Sequence, residues 1–287
     1  MNSLQNTNSI TPQELTESRL QLHYAVQFIA AIGSALAEPK PDYSHTSLSW
    51  NPELKAFVGE VIKGKQVFQV ALDPVSLTSL ILDEESNRLA EFPLHGKTIA
   101  QGLNWHKDEI SKLGADADRV TLLAYPPDDF PDHAVARGTP FDASQEAERK
   151  QLTDYYATTY LVLQEIVAIT AGISPIHTWP HHFDMATLIS LPGRKNGEQM
   201  SIGIGMSPGD KSYDEPYWYV SPWPYPDTTK LPELDAGGFW HTQHWVGAVL
   251  RASQLSEDKT ADAQKEQVRL FLHSALKAAN GLLQGEG

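Results

Sequence analysis

The hydrophobic period of this chain switches in a definite order: a helical stripe, a run of short alternating segments, a second helical stripe, and then the same succession again. Strands that follow one another without a helix between them pair antiparallel, because a parallel neighbour needs a long crossover. The expected fold is therefore α+β, with two similar lobes, each a mostly antiparallel sheet packed against long helices. Residues 1–125 form the first lobe, 126–142 a Pro- and Asp-rich connection, and 143–287 the second lobe. The 287 residues suffice for such a core.

The first helix starts at Thr11-Pro12-Gln13-Glu14, with Thr as N-cap, Pro at the first helical position and Glu at the capping-box position. Leu15, Leu22, Val26, Ile29, Ile32 and Leu36 make its stripe, which stops before Pro39 and Pro41. The ten residues before it are expected to be disordered. Strands are expected over 57–62 and 65–72, divided by a turn at Lys63-Gly64, and over 75–82 and 88–92. In the second of these, Phe68, Val70 and Leu72 share one face. Thr98-x-x-Gln101 opens a helix that Gly114 closes, and a strand is expected over 119–125. A long helix over 144–171, strands over 183–191, 200–206 and 217–220, and an amphipathic helix over 260–283 complete the second lobe. His45-Thr46 and His177-Thr178 follow the leading helix of each lobe and raise an ancient duplication.

A net charge of −14 argues against nucleic acid or an anionic membrane as partner, since such surfaces need concentrated Lys and Arg. Absence of cysteine excludes disulfides and thiolate metal sites and fits a cytoplasmic protein. The start of the chain lacks the basic and apolar regions of a signal peptide. Its longest apolar stretches, such as 166–173, are too short to span a membrane.

Two motifs fail on inspection. Gly205-Met206-Ser207-Pro208-Gly209 matches a nucleophile elbow. The oxyanion hole of such an elbow uses the N–H after the serine, and Pro208 has none. Pro208-Gly209 reads instead as the centre of a type II turn. Gly205…Lys211-Ser212 has the wrong spacing for a phosphate loop, and Asp210 has the wrong charge.

The chemistry-bearing residues concentrate in 175–245. Five of the eleven histidines lie there, His177, His181, His182, His241 and His244, with five of the seven tryptophans. On a strand, His182 and Asp184 would share a face and hold a divalent metal, with His241, His244 or Glu215 arriving from elsewhere. Asp184 is equally placed to orient a histidine for acid–base work. Ordinary hydrogen bonding to loops accounts for the same histidines. In Tyr217-Trp218-Tyr219-Val220 the two tyrosines share one face and Trp218 and Val220 the other, so one face is core and the other a candidate pocket wall. Trp179 and Trp240 are further candidate ligand-binding residues.

Pro175-x-His177, Phe183-Asp184, Glu215-Pro216 and Tyr225-Pro226, with Phe130-Pro131-Asp132 and Pro140-Phe141-Asp142, give the chain its resemblance to a bacterial family classed as a domain of unknown function. The resemblance implies no activity or cofactor. It does favour His177, Asp184 and Glu215 as candidate catalytic residues over the His181-His182 pair, which departs from the family pattern. Three readings stay open: a small-molecule-binding or catalytic pocket, a metal-dependent hydrolase, and a non-catalytic interaction or assembly protein. A monomer and a homodimer both fit.

Overall fold

A computed structural model describes residues 10–126, 129–255 and 260–285. Apart from Ile10, the expectation for the first ten residues lies outside this range. Thr11 does open the chain's first helical turn. Its N–H donates to Glu14 Oε2 at 2.6 Å and its hydroxyl to the same oxygen at 2.8 Å. After one 3-10 turn come α1 (Thr16–Ala25) and α2 (Gln27–Leu36), with Val26 at the break.

The first sheet is built from β1 (Ser49–Asn51), β2 (Ala56–Val58), β3 (Ile62–Lys63), β4 (Val67–Asp73), β5 (Thr78–Leu82) and β6 (Arg88–Pro93). Its order is β1-β2-β4-β5-β6, with β3 paired beside β4. Ile62 faces Phe68 and Lys63 faces Val67, so the expected hairpin exists with a wider loop, 64–66. Phe68, Val70 and Leu72 all enter the main core, while Ala71 lies in a small apolar cluster with Ala56, Val58, Leu80 and Leu82. This is the period-two alternation of a sheet covered on both faces.

Next comes α3 (Ile99–Lys112). Gln101 N–H donates to Thr98 Oγ1 at 3.2 Å, Thr98 N–H donates to Gln101 Oε1 at 2.9 Å, and Gly114 leaves the helix at φ +80°. The strand expected over 119–125 does not form: Arg119 ends a 3-10 turn and residues 120–125 are irregular. Val120 is buried, but the segment pairs with neither sheet, and β-propensity yields to that context.

The long helix is α4 (Glu146–Ile169). The second sheet follows, from β7 (His177–Thr178), β8 (Met185–Lys195), β9 (Glu198–Ser207), β10 (Tyr217–Trp223), β11 (Phe239–His241) and β12 (Gly247–Arg251). Its order is β11-β12-β10-β9-β8-β7, antiparallel throughout. The chain ends on α5 (Ala261–Gln284), whose N-cap Thr260 accepts from Ala263 N–H at 3.3 Å. Sequence patterning missed β11 and β12, which are too short to display an alternation. No helix among the described residues is long and apolar enough to cross a membrane.

The two sheets meet edge to edge. Leu48 N–H donates to Thr178 O at 2.9 Å, and Thr178 N–H returns to Leu48 O at 2.7 Å. Over this junction Phe57 packs on Trp50, Tyr156 and Phe183, with ring centroids 4.9–5.2 Å apart. One hydrophobic cluster runs from Leu22 to Leu283 through both sheets. The two His-Thr pairs occupy unlike elements: His45-Thr46 lies in a 3-10 turn and His177-Thr178 forms β7.

Candidate functional site

Alternation along β10 decides where the site forms. Trp218 points into the core and donates its indole N–H to Thr159 Oγ1 at 2.8 Å. Tyr217 and Tyr219 point the other way, rings 6.2 Å apart, into the wall of a cavity of about 630 Å³. That volume lies in the range of small-molecule sites. Ser207, at the end of β9, and Ser221 of β10 line the same side. The other walls come from Arg19 and His23 of α1, from Phe130 and Pro131 in the connection, from His181, His182 and Asp184 before β8, and from the 209–212 loop. Tyr225 and Trp245 add aromatic surface.

Each cavity tyrosine donates to a carboxylate. Tyr217 OH reaches Asp210 Oδ2 at 2.6 Å, and Tyr219 OH reaches Asp184 Oδ2 at 2.6 Å. Burial, and then the charge of the adjacent aspartate, push both phenols well above their ordinary value, so they remain donors. Asp210 is otherwise occupied, since its Oδ1 accepts from Ser212 N–H at 2.7 Å and Tyr213 N–H at 3.2 Å. Asp184 is not: among the described residues its Oδ1 has no hydrogen bond. Held on one oxygen and open on the other, Asp184 can accept from a ligand hydroxyl or amine.

The turn between β7 and β8 sets this carboxylate. Phe183 N–H donates to Trp179 O at 2.7 Å, Trp179 N–H donates to Asp184 O at 2.9 Å, and Tyr156 OH donates to Phe183 O. Phe183 sits at φ +57°, an uncommon conformation for a bulky side chain, retained here because its ring is fully buried and its carbonyl is bonded. The strand therefore starts at Met185 rather than at Phe183, and His182 lies in the turn. That left-handed residue breaks the alternation on which a shared His182–Asp184 face depended.

His181 and His182 stand with rings 4.3 Å apart and make no side-chain hydrogen bond among the described residues. Burial, then the neighbouring His182, lower the pKa of His181. Behind them His23 is held neutral, its pKa lowered to about 3 chiefly by burial. Its Nε2 lies 3.0 Å from Pro180 O, a pure acceptor, so Nε2 carries the proton.

Arg19 is the residue that sequence reading missed. It makes no hydrogen bond or ion pair among the described residues, and its Nη1 is buried without a partner. Burial lowers its pKa, against the opposing charges of Asp210 and Asp214. The signal was present: Leu15, Arg19, Leu22, Val26 and Ile29 step by four and three residues, so Arg19 fills a slot in an apolar stripe. Gly209, at φ +115°, makes room for it, since a Cβ there would lie 2.1 Å from Arg19 Nη1. Its backbone suits the turn expected at Pro208-Gly209. No helix follows Ser207, as the failed elbow requires.

Of the residues singled out from sequence, Asp184, His181, His182, Tyr217 and Tyr219 come together at the cavity. His177, Glu215, Trp179, Trp240, His241 and His244 lie apart from its lining. His177 Nδ1 bonds Ser47 Oγ at 2.8 Å beside the sheet junction. Glu215, 2% exposed, accepts from Ser253 N–H at 2.7 Å and Ser253 Oγ at 2.9 Å, with Arg251 at 3.7 Å. Trp179 packs 5.3 Å from His177, and Trp240 donates to Pro232 O at 2.8 Å. His241 Nε2 faces Gln243 O at 2.6 Å, which leaves Nδ1 to accept from Tyr213 OH at 2.8 Å. His244, at φ +68°, is exposed. Among the described residues no three His, Asp or Glu side chains converge as a metal would need.

The chain belongs to the family of unknown function DUF5996, whose model matches residues 8–284. No curated protein and no solved structure matches it.

Proposed function

We propose that this protein binds a small polar molecule in the cavity between α1 and the second sheet, with Asp184 as the hydrogen-bond acceptor that orients it. The observation that carries this reading is the Tyr219–Asp184 pair: a carboxylate fixed on one oxygen, open on the other, in a cavity of about 630 Å³ that also holds two histidines whose side chains make no hydrogen bond among the described residues. A carboxylate placed for fold stability alone would be expected to have both oxygens satisfied or bathed in bulk water. His181 and His182 have the chemistry to move a proton at a ligand bound there, which would make the site catalytic. An acidic, cysteine-free chain of this kind suits the cytoplasm and a small-molecule partner rather than nucleic acid.

The test is a thermal-shift screen of polar metabolites on the full chain, followed by affinity measurements on Asp184→Asn and Tyr219→Phe. Asp184→Asn is expected to weaken a true ligand about tenfold or more, because it exchanges a charged acceptor for a neutral amide. Tyr219→Phe frees the carboxylate and is expected to weaken binding by a smaller factor. Ligands that bind both variants as tightly as the parent would place the site elsewhere. A screen without any ligand would remove the reading altogether.

A further inference from the structure

Arg19 is chemically out of place. A guanidinium has five N–H donors, and withdrawing it from water without acceptors is costly. The comparison with Arg149, buried to 1% exposure, is informative. Arg149 donates from Nε to Val75 O at 2.9 Å and from Nη2 to Ala143 O at 2.7 Å, so fixed carbonyls compensate its burial in part, with Nη1 alone left unpartnered among the described residues. Arg19 has no such partner among the described residues, although the carboxylates of Asp210 and Asp214 act on it. The stronger in effect, Asp210, is turned to Tyr217 OH and to the backbone of its own loop. A glycine in left-handed conformation leaves the guanidinium room against the 209–212 loop, and the side chain lines the cavity.

Resting on the proposed small-molecule site, we infer that the ligand carries an anionic group, a carboxylate or a phosphate, and that Arg19 is its anchor. The planar fork of Arg matches two oxygens of either anion. The ligand is thus bifunctional: its anionic end lies on Arg19, and a hydroxyl or amine lies on the open oxygen of Asp184. Aromatic surface from Tyr225 and Trp245 covers the body between them. A neutral acceptor would pair the donors of the guanidinium without countering its charge, and a purely cationic group would do neither.

The experiment uses the full chain and two probes, inorganic phosphate and malonate, titrated at constant ionic strength against chloride while the unfolding temperature is followed. Stabilisation by phosphate alone assigns the anion as phosphoryl, and stabilisation by malonate alone as carboxylate. In Arg19→Met the affinity for the effective anion is expected to fall at least about tenfold. The ligand-free variant is expected to melt higher than the parent, since an apolar side chain replaces an uncompensated charge. Arg19→Lys keeps the charge without the fork and is expected to retain part of the anion effect; it also serves if Arg19→Met does not fold. Equal stabilisation of parent and both variants overturns the inference, and so does no stabilisation of the parent by either anion. Neutral ligands that bind, and that weaken in Asp184→Asn but not in Arg19→Met, would overturn the anion anchor while leaving the cavity site standing.

Discussion

At the scale of single residues, the site is set by where polar atoms find partners. Asp210 and Asp184 look alike in sequence, each in a loop just before a strand, yet one is spent on its own loop and the other keeps an open oxygen. Gly209 tests how tightly Arg19 is seated. Gly209→Ala would strain a φ of +115° and drive a methyl into the guanidinium. Its cost is expected to be about 1–3 kcal/mol in urea unfolding, together with weaker ligand binding. An unchanged midpoint would mean that Arg19 has freedom to move aside. Two buried histidines carry a pH dependence. Burial lowers His23 to about 3 and His106 to about 4, from 6.5. Both are neutral when folded, and the unfolded chain takes up their protons first as pH falls. Stability is therefore full above about pH 6.5 and declines toward pH 4 for both groups, and further toward pH 3 for His23. His106→Leu is expected to reduce the loss of unfolding free energy between about pH 7 and about pH 5 by about 2 kcal/mol. If parent and variant lose stability in parallel, His106 is not one of the groups responsible.

At the scale of elements, the second sheet is held by close backbone approach and by helices laid across it. Gly205 sits where β8 and β9 pass, and a Cβ there would come within 2.3 Å of Met185 O. Gly205→Val should part the two strands at the residues leading to Asp184. The expected loss is about 2 kcal/mol or more in stability, with ligand affinity falling as well. Circular dichroism and an unfolding curve would check it, and a variant as stable as the parent would show that the pair tolerates separation. Phe271 of α5 lies fully buried against Gly238. Phe271→Ala is expected to cost about 3–5 kcal/mol through the cavity it leaves, without touching the site directly.

At the scale of the whole molecule, the lobes share their interior. The Leu48–Thr178 bonds, the Phe57–Tyr156–Phe183 rings and Arg149 reaching Val75 all cross between the halves. The cavity crosses them too, with Arg19 from the first half and Asp184 from the second. Urea unfolding is expected to show one transition by fluorescence and circular dichroism alike. Chains 1–125 and 143–287 made separately are expected not to hold native structure. Two resolved transitions, or a folded fragment, would show that each lobe carries its own core.

Local pattern was enough for much of the architecture. The capping boxes at Thr11 and Thr98, the stripes of α4 and α5, the face shared by Phe68, Val70 and Leu72, and the split between Trp218 and its flanking tyrosines all follow from periods of 3.6 and 2, which any stretch of chain displays by itself. The site was legible only in part, for a physical reason. Asp184, Tyr217 and Tyr219 belong to the segment whose composition marked it. Arg19 and His23 come from more than 150 residues away, and their role depends on which polar groups lack partners after folding. The left-handed Phe183 and the unoccupied segment 120–126 likewise answer to tertiary contacts. Periodicity determined which surfaces had to be buried, and only the closed fold decided which polar atoms face the cavity.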